Sequence, residues 1–247
     1  FLTTWYDNIK GTFASAIAVG SIGIIIALAF IGYGYWAVIL FFGPLLLARY
    51  SFKLYMETRN LYISTIQALN STIEAKDPYT FGHAARVESY AVQLAEAYGL
   101  PFDSIQNIKD AAVLHDIGKI GINDNILNKT TKLTEAEYEE IMKHPVIGAE
   151  MIGKVDFLKE ASEIIMHHHE RYDGKGYPDG LKGDETPIES YILAIADSYD
   201  AMTTDRPYRD ALTKEEAFEE IKDNSGTQFH PELAKTFCEI LEGKEIV

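Results

Sequence analysis

Between Lys10 and Arg49 there is no charged side chain, and no other feature of this 247-residue sequence restricts its folding so strongly. A helix crossing the hydrocarbon core of a bilayer takes about 20 predominantly apolar residues, and shorter ones are accommodated by tilt or local thinning. The stretch divides at Gly32-Tyr33-Gly34 into an apolar run from Phe13 to Ile31 and a shorter one from Tyr35 to Ala48 that contains Pro44. Gly20, Gly23 and Ala27 are small positions where two helices can approach, and Tyr33, Tyr35 and Trp36 suit the interfacial level at a turn. These features predict a transmembrane helical hairpin over residues 1–49, with residues 13–48 in the membrane. Because the chain starts at Phe1, the hairpin is expected to end a longer membrane region. Lys10, Arg49 and Lys53 lie at its open end, which puts both ends and everything that follows in the cytoplasm. The apolar run is too long, and a second follows too closely, for a cleaved signal peptide. A buried core hairpin is the competing reading.

The rest of the chain is chemically different. Residues 1–60 contribute only Asp7 and Glu57 against Lys10, Arg49, Lys53 and Arg59, so residues 61–247 hold 18 Lys+Arg against 35 Asp+Glu, a balance of −17 in a chain whose net charge is −15. Such a balance argues against sequence-independent binding to a nucleic-acid polymer, which needs a basic face to neutralise phosphates. The single cysteine, Cys238, excludes an intrachain disulfide and fits a reducing compartment. Its helical setting beside Phe237 and Ile240 makes it a small core residue.

From Tyr50 to Lys76 there is neither Gly nor Pro, and Tyr62, Ile66, Leu69 and Ile73 recur at helical spacing. Residues 50–76 therefore read as a connecting helix, and two uses of its stripe compete. It could form a parallel homodimer seam over residues 55–76, or pack on its own domain; Arg59 weakens the seam. Residues 77–247 carry the punctuation of an all-α domain. Asp77-Pro78 opens a helix with the face Val87, Tyr90, Ala91, Leu94 and Tyr98, stopped by Gly99 and Pro101. Thr134 with Glu137, and Thr213 with Glu216, form capping boxes. Pro187 precedes a helix with Ile188, Tyr191, Ile195 and Tyr199 on one face. No alternating run is long enough for a sheet.

All seven histidines fall in this acidic part: His83, His115, His144, the run His167-His168-His169, and His230. His115-Asp116 closes the apolar segment Ala111-Ala112-Val113-Leu114, where two adjacent donors can face one metal ion and the carboxylate can reach a second. Asp197 ends the apolar stretch Ile192 to Ala196, and a buried carboxylate must find a cation or a metal.

Asp77-x-x-Thr80-x-x-His83, His115-Asp116-Ile117-Gly118-Lys119, His144-Pro145, the run from His168 through Gly176-Tyr177-Pro178, Ile195-Ala196-Asp197 and Asp205-Arg206-Pro207-Tyr208-Arg209 follow one another in order. Together they resemble the HD-GYP family of cyclic di-GMP phosphodiesterases over about residues 70–243. The resemblance implies an all-α, HD-type helical bundle that binds at least two metal ions and hydrolyses bacterial cyclic di-GMP, to linear pGpG and/or GMP. It further implies that His83, His115, Asp116 and Asp197 hold one ion and that His144, His168 and His169 hold the second, with Asp116 shared. Tyr79 stands where some members carry a glutamate that recruits a third ion, so two are expected. Such a donor set suits iron or manganese, while affinity order does not exclude zinc, nickel or cobalt. With two cations roughly 3.5–4 Å apart activating a water for in-line attack, Lys119 is expected to stabilise the phosphate or protonate the leaving 3′ oxygen. Arg206 and Arg209 are expected to grip phosphates, and Tyr177 to contact the dinucleotide. Gly174, Gly176 and Gly180 are expected to bend the loop around it. His167 reads as a neighbour of the site, and His230, where the family usually has Asp, as structural. Asn123–Lys132 is a candidate lid. In a bacterium the apolar hairpin would lie in the inner membrane. Two other functions compete: an HD-type hydrolase of another cyclic dinucleotide, and a non-catalytic receptor for cyclic di-GMP.

Overall fold

Uninterrupted apolar sequence builds two consecutive helices in the computed structural model, which describes residues 19–74, 82–129, 131–205 and 210–243. These are α1 (Val19–Tyr33) and α2 (Tyr35–Glu74). They meet at Gly34, whose φ of 62° lies in the left-handed region that glycine enters without a Cβ penalty. The Gly34 N–H closes α1 on the Phe30 carbonyl at 2.8 Å, and the Gly34 carbonyl accepts the Ala37 N–H at 3.1 Å. Helix α2 runs without a break through Arg49 and Tyr50, where the sequence divides the apolar run from the connecting helix; Pro44 lies inside it. The chain divides into two compact units, 1–62 and 63–247. In the first, Ala37 is the single buried side chain among the described residues, while Leu28, Ile31, Leu40, Leu45 and Leu47 are exposed. By length and composition α2 can cross a membrane.

The second unit is a helical bundle. It comprises α3 (His83–Tyr98), α4 (Phe102–Leu114), a 3-10 turn (Ile117–Gly121) and the short α5 (Asp124–Leu127), followed by α6 (Glu135–Ile141), α7 (His144–Ile152) and α8 (Lys159–Met166). Helices α9 (Ile188–Thr203), α10 (Lys214–Asp223) and α11 (Pro231–Leu241) complete it. Among the described residues there is no strand, only two isolated bridges, Asp173 with Lys182 and Ser225 with Phe229. The expected local signals hold: Gly99 ends α3 with φ 87°, and Thr134–Glu137 and Thr213–Glu216 form reciprocal capping boxes. The Asp77-Pro78 start lies outside the described residues.

Helix α3 packs between α4 and α9, and α7 lies against α8 and the 3-10 turn. The core joins Val87, Ala91 and Leu94 of α3, Ile108, Ala111 and Leu114 of α4, Ile165 of α8 and Ile192 and Ile195 of α9, all fully buried. Each large aliphatic side chain so buried contributes about 1.5–3 kcal/mol. Tyr199 sits edge-on to Tyr90 at 5.0 Å and to Phe237 at 5.2 Å, locking α9 to α3 and α11. Cys238 is buried in this core. Ile63 and Ile66 also pack against it, so at Ile66 the stripe of α2 serves its own domain. Tyr62 is half-exposed, and the Leu69 and Ile73 side chains lie outside the described residues.

Candidate metal centre and active site

Three histidines of the centre are oriented by their own helix ends. His115 follows the last turn of α4 and donates Nδ1–H to the Ala112 carbonyl at 2.8 Å. His144 opens α7 and donates to the Ile141 carbonyl at 2.8 Å; His168, just past α8, donates to the Ile165 carbonyl at 2.6 Å. A carbonyl oxygen only accepts, so the proton sits on Nδ1 and each Nε2 is left as a free-pair donor pointing inward.

Those Nε2 atoms converge in two groups. His83, His115 and Asp197 form one, and His144, His168 and His169 the other; within each group the donor atoms lie within 4.8 Å of one another. Asp116 stands between them, with Oδ2 3.7 Å from His115 Nε2 and Oδ1 3.7 Å from His144 Nε2. His83 Nε2 lies 3.3 Å from both His115 Nε2 and Asp197 Oδ1. Every residue expected to ligate a metal is thus brought to one place by α3, α4, α7, α8 and α9.

The electrostatics fit cations. His144 Nε2 and His168 Nε2 are buried and have no hydrogen-bond partner among the described residues. An unsatisfied buried acceptor costs about 1–3 kcal/mol, which a divalent ion bound to it would remove. Burial pushes the His144 and His168 pKa values down, and burial with the neighbouring His144 lowers His169 to about 3, so these rings are neutral. Burial alone would raise Asp116, but the Lys119 ammonium and the surrounding imidazoles hold it well below the usual carboxylate range. Burial works the same way on Asp197, where the hydrogen bond from His83 wins. At His83 burial favours the neutral ring, yet the bonds to Asp197 and Asp200 raise it to about 10. Neutral imidazoles and ionised carboxylates are the forms that ligate metals, so His144, His168, His169, Asp116 and Asp197 already stand in that form, while His83 gives up a proton when an ion takes its place.

Lys119 Nζ donates to Asp116 Oδ2 at 2.6 Å, on the turn that follows the His-Asp pair. The Tyr177 ring lies 4.8 Å from that of His169 at an angle of 32°, and burial raises its phenol pKa. Gly174 and Gly180 take positive φ in this loop, as bending requires, with φ of 76° and 66°. Gly176 matters differently: a Cβ there would overlap the backbone of His169, Glu170 and Arg171. At Gly118 a Cβ would run into the His144 carbonyl, so only glycine lets the turn after Asp116 approach α7. Arg206 and Arg209 lie outside the described residues; at the edges of their segment, Asp205 Oδ1 accepts the Ala211 N–H at 2.9 Å. His167 is tied to the Glu163 carbonyl and to Asp179 Oδ2, each at 3.2 Å, and stays out of both donor groups. His230 caps α11 and packs its ring on Tyr172 and Tyr191. In the candidate lid, Asn123 caps α5 and Lys129 pairs with Glu137 of α6.

Sequence reasoning missed three residues. Asp200 is 1% exposed and accepts from His83 Nδ1 at 2.7 Å and from Arg86 Nε at 2.6 Å. Its one signal was the three-residue step from Asp197. Glu170 is buried, and its Oε1 accepts the N–H groups of Asp179 at 2.7 Å and Gly180 at 3.0 Å, which anchors the loop that follows Tyr177-Pro178.

A helical bundle that gathers histidines and aspartates from five helices around one His-Asp pair defines a metal-binding helical domain. A family profile described as HD domain matches residues 67–233, and the chain belongs to that family. It is 39% identical over 197 residues to a cyclic di-GMP phosphodiesterase of Thermotoga maritima, covering 79% of this chain and 54% of the relative. It is 38% identical over 189 residues to the 3′3′-cGAMP-specific phosphodiesterase 2 of Vibrio cholerae, covering 76% and 36%. The match to the cyclic di-GMP phosphodiesterase response regulator RpfG of Xanthomonas campestris is 40% over 169 residues, covering 68% and 45%. The chain thus spans between about a third and about a half of the length of these relatives. Among solved structures, a cyclic GMP-AMP-specific phosphodiesterase of V. cholerae superposes with a TM-score of 0.56 at 21% identity, over 74% of this chain and 48% of the other. Bd1817 of Bdellovibrio bacteriovorus gives 0.56 at 22%, over 74% and 60%. At that identity the likeness shows a shared fold.

Proposed function

We propose that the chain is a metal-dependent phosphodiesterase of the HD-GYP type that hydrolyses cyclic di-GMP to linear pGpG or GMP. The observation that carries this reading is the pair of three-donor groups flanking Asp116, with two buried imidazole nitrogens that a bound cation would satisfy. His83, His115 and Asp197 hold one divalent ion, His144, His168 and His169 the other, and Asp116 reaches both. Iron or manganese suits this donor set, and zinc, nickel or cobalt also binds such ligands. When bound, the ions supply Lewis-acid activation of water and neutralise phosphodiester charge. Lys119, whose ammonium lies beside Asp116, stabilises charge on the scissile phosphate or protonates the leaving 3′ oxygen. Arg206 and Arg209 present guanidinium forks to phosphate oxygens, and Tyr177 packs on the dinucleotide.

Helices α1 and α2 anchor the enzyme in the bacterial inner membrane with residues 63–247 in the cytoplasm, a reading supported by their exposed apolar surface and by Lys10, Arg49 and Lys53. A homodimer seam along residues 55–76 would rely on side chains other than Ile66, which its own core takes up.

The test is anaerobic turnover by the full chain in detergent, loaded with iron or manganese, with metal content measured in the same samples and Asp116→Ala alongside. Cleavage of cyclic di-GMP that disappears in Asp116→Ala supports the reading; two bound metals with no cleavage overturn it. Near-equal identity to a 3′3′-cGAMP-specific relative favours one second reading, so 3′3′-cGAMP is run beside cyclic di-GMP.

A further inference from the structure

His83 differs from the other imidazoles of the centre in what holds it. His115, His144 and His168 each give Nδ1–H to a carbonyl three residues earlier. The Nδ1 of His83 is held instead by Asp200 Oδ2 at 2.7 Å, 117 residues away in sequence. Asp200 is 1% exposed, and a carboxylate buried to that extent needs full pairing. Arg86 supplies it with a fork, Nε to Oδ1 at 2.6 Å and Nη2 to Oδ2 at 3.0 Å, and reaches Thr204 Oγ1 at 3.4 Å.

The pattern is two by two. Helix α3 carries His83 and, one turn on, Arg86; α9 carries Asp197 and, one turn on, Asp200. One carboxylate of α9 faces the Nε2 side of the imidazole and the other grips its Nδ1 side. With Nδ1 clamped, the ring can present Nε2 only toward Asp197 and His115. Among the described residues no carboxylate contacts the Nδ1 of His144 or His168, so the second donor group has no such clamp.

We propose that Asp200, held in place by Arg86, is a positioning residue for the His83–His115–Asp197 ion alone. It fixes the imidazole rotamer and strengthens the ring as a donor, and the second ion does not depend on it. The inference rests on the reading of the two groups as ion sites. Outer carboxylate partners of ligating histidines typically account for 10–100-fold in metal affinity.

The test is Mn²⁺ binding by the full chain in detergent, measured by equilibrium dialysis and elemental analysis across free Mn²⁺, for the wild type, Asp200→Asn and Arg86→Lys, with thermal unfolding of each. Asp200→Asn keeps the side-chain shape and loses the charge. One ion should bind Asp200→Asn with wild-type affinity and the other about 10–100-fold more weakly. Turnover of the variant should be restored by raising Mn²⁺ under conditions where the wild type is already saturated. A residue that only stabilises the fold would not give that rescue. Should Asp200→Asn lower the melting temperature, Arg86→Lys, at a side chain 38% exposed, gives the same selective loss in milder form. Retention of both ions at wild-type affinity overturns the proposal, and so does equal weakening of both together with a lower melting temperature. A wild type that binds two ions while the variant behaves identically refutes only the clamp. A wild type that binds none refutes the ion sites themselves and the clamp with them.

Discussion

The two donor groups are made of similar side chains and assembled by different means. In the His144–His168–His169 group, two of three imidazoles are aimed by a carbonyl three residues upstream, so their orientation is set within a single turn of chain. In the His83–His115–Asp197 group only His115 is aimed that way; His83 and Asp197 meet when α3 packs on α9. The charges differ too. One group is three neutral rings, whereas the other contains an ionised carboxylate and a histidine clamped by a second one. The rings of one group are therefore largely aimed by their own helix ends, whereas in the other His83 is aimed by tertiary packing, and both groups come together only when the helices pack.

The widest test of that contrast is metal removal and return. Stripping the ions leaves His144 Nε2 and His168 Nε2 buried without partners, so adding Mn²⁺ at 100 times its dissociation constant should stabilise the fold by about 2.7 kcal/mol per site. Calorimetry should resolve two binding steps; a single step with one affinity would break the contrast. Next in size is Gly118→Ala, whose new Cβ meets the His144 carbonyl and the Gly148 nitrogen. Such overpacking costs about 1–3 kcal/mol, read by urea unfolding, and should loosen the ion held by His144 before the one held by His83. A smaller effect is expected from Glu170→Gln, which replaces a charged acceptor for the Asp179 and Gly180 N–H groups at a cost of about 1 kcal/mol. Freed to move, Tyr177 should raise KM for the dinucleotide while metal content stays unchanged. Smallest is Thr134→Ala, which removes the cap of α6 for about 0.5–1 kcal/mol and should leave both ions bound. Its partner Glu137 is lowered from 4.5 to about 2 by Lys129 and by the Thr134 N–H. A carboxyl depressed on folding stabilises above its ordinary pKa, so this contribution is present above pH 4.5 and should fade as the pH falls toward 2, seen as a lower urea midpoint.

Much of the domain was legible locally. Capping boxes, the Gly99 stop and the faces of α3 and α9 are signals carried within one or two turns of chain, and they appear where the spacing predicts. The candidate ligands were legible through the order of motifs that carries the family resemblance, with His115-Asp116 at the end of an apolar segment as the one local sign of metal chemistry. Asp200 and Arg86 were not, because an aspartate or arginine on a helix reads as a solvated surface residue until its partner is known; Glu170, next to His169 in the motif run, gave no sign that its carboxylate accepts the N–H groups of Asp179 and Gly180. Those partners lie 114 to 117 residues away for Asp200 and its pair with Arg86 and His83. The continuity of α2 through Arg49 and Tyr50 was likewise hidden: a change in composition marks a change of environment, not a break in backbone hydrogen bonding.

By itself the sequence determined the chemistry available: an apolar N-terminal stretch without charge, an acidic helical remainder, and histidines with aspartates at helix ends. Periodicity, caps and side-chain type act over a few residues, and for them no tertiary information is needed. Beyond what the resemblance implies, tertiary structure decided the distances within each donor group, the place of Asp116 between them, and the clamping of His83 by Asp200 and Arg86. Those relations depend on the packing of α3, α4, α7, α8 and α9, and a linear spacing of more than a hundred residues carries no distance until the core has formed.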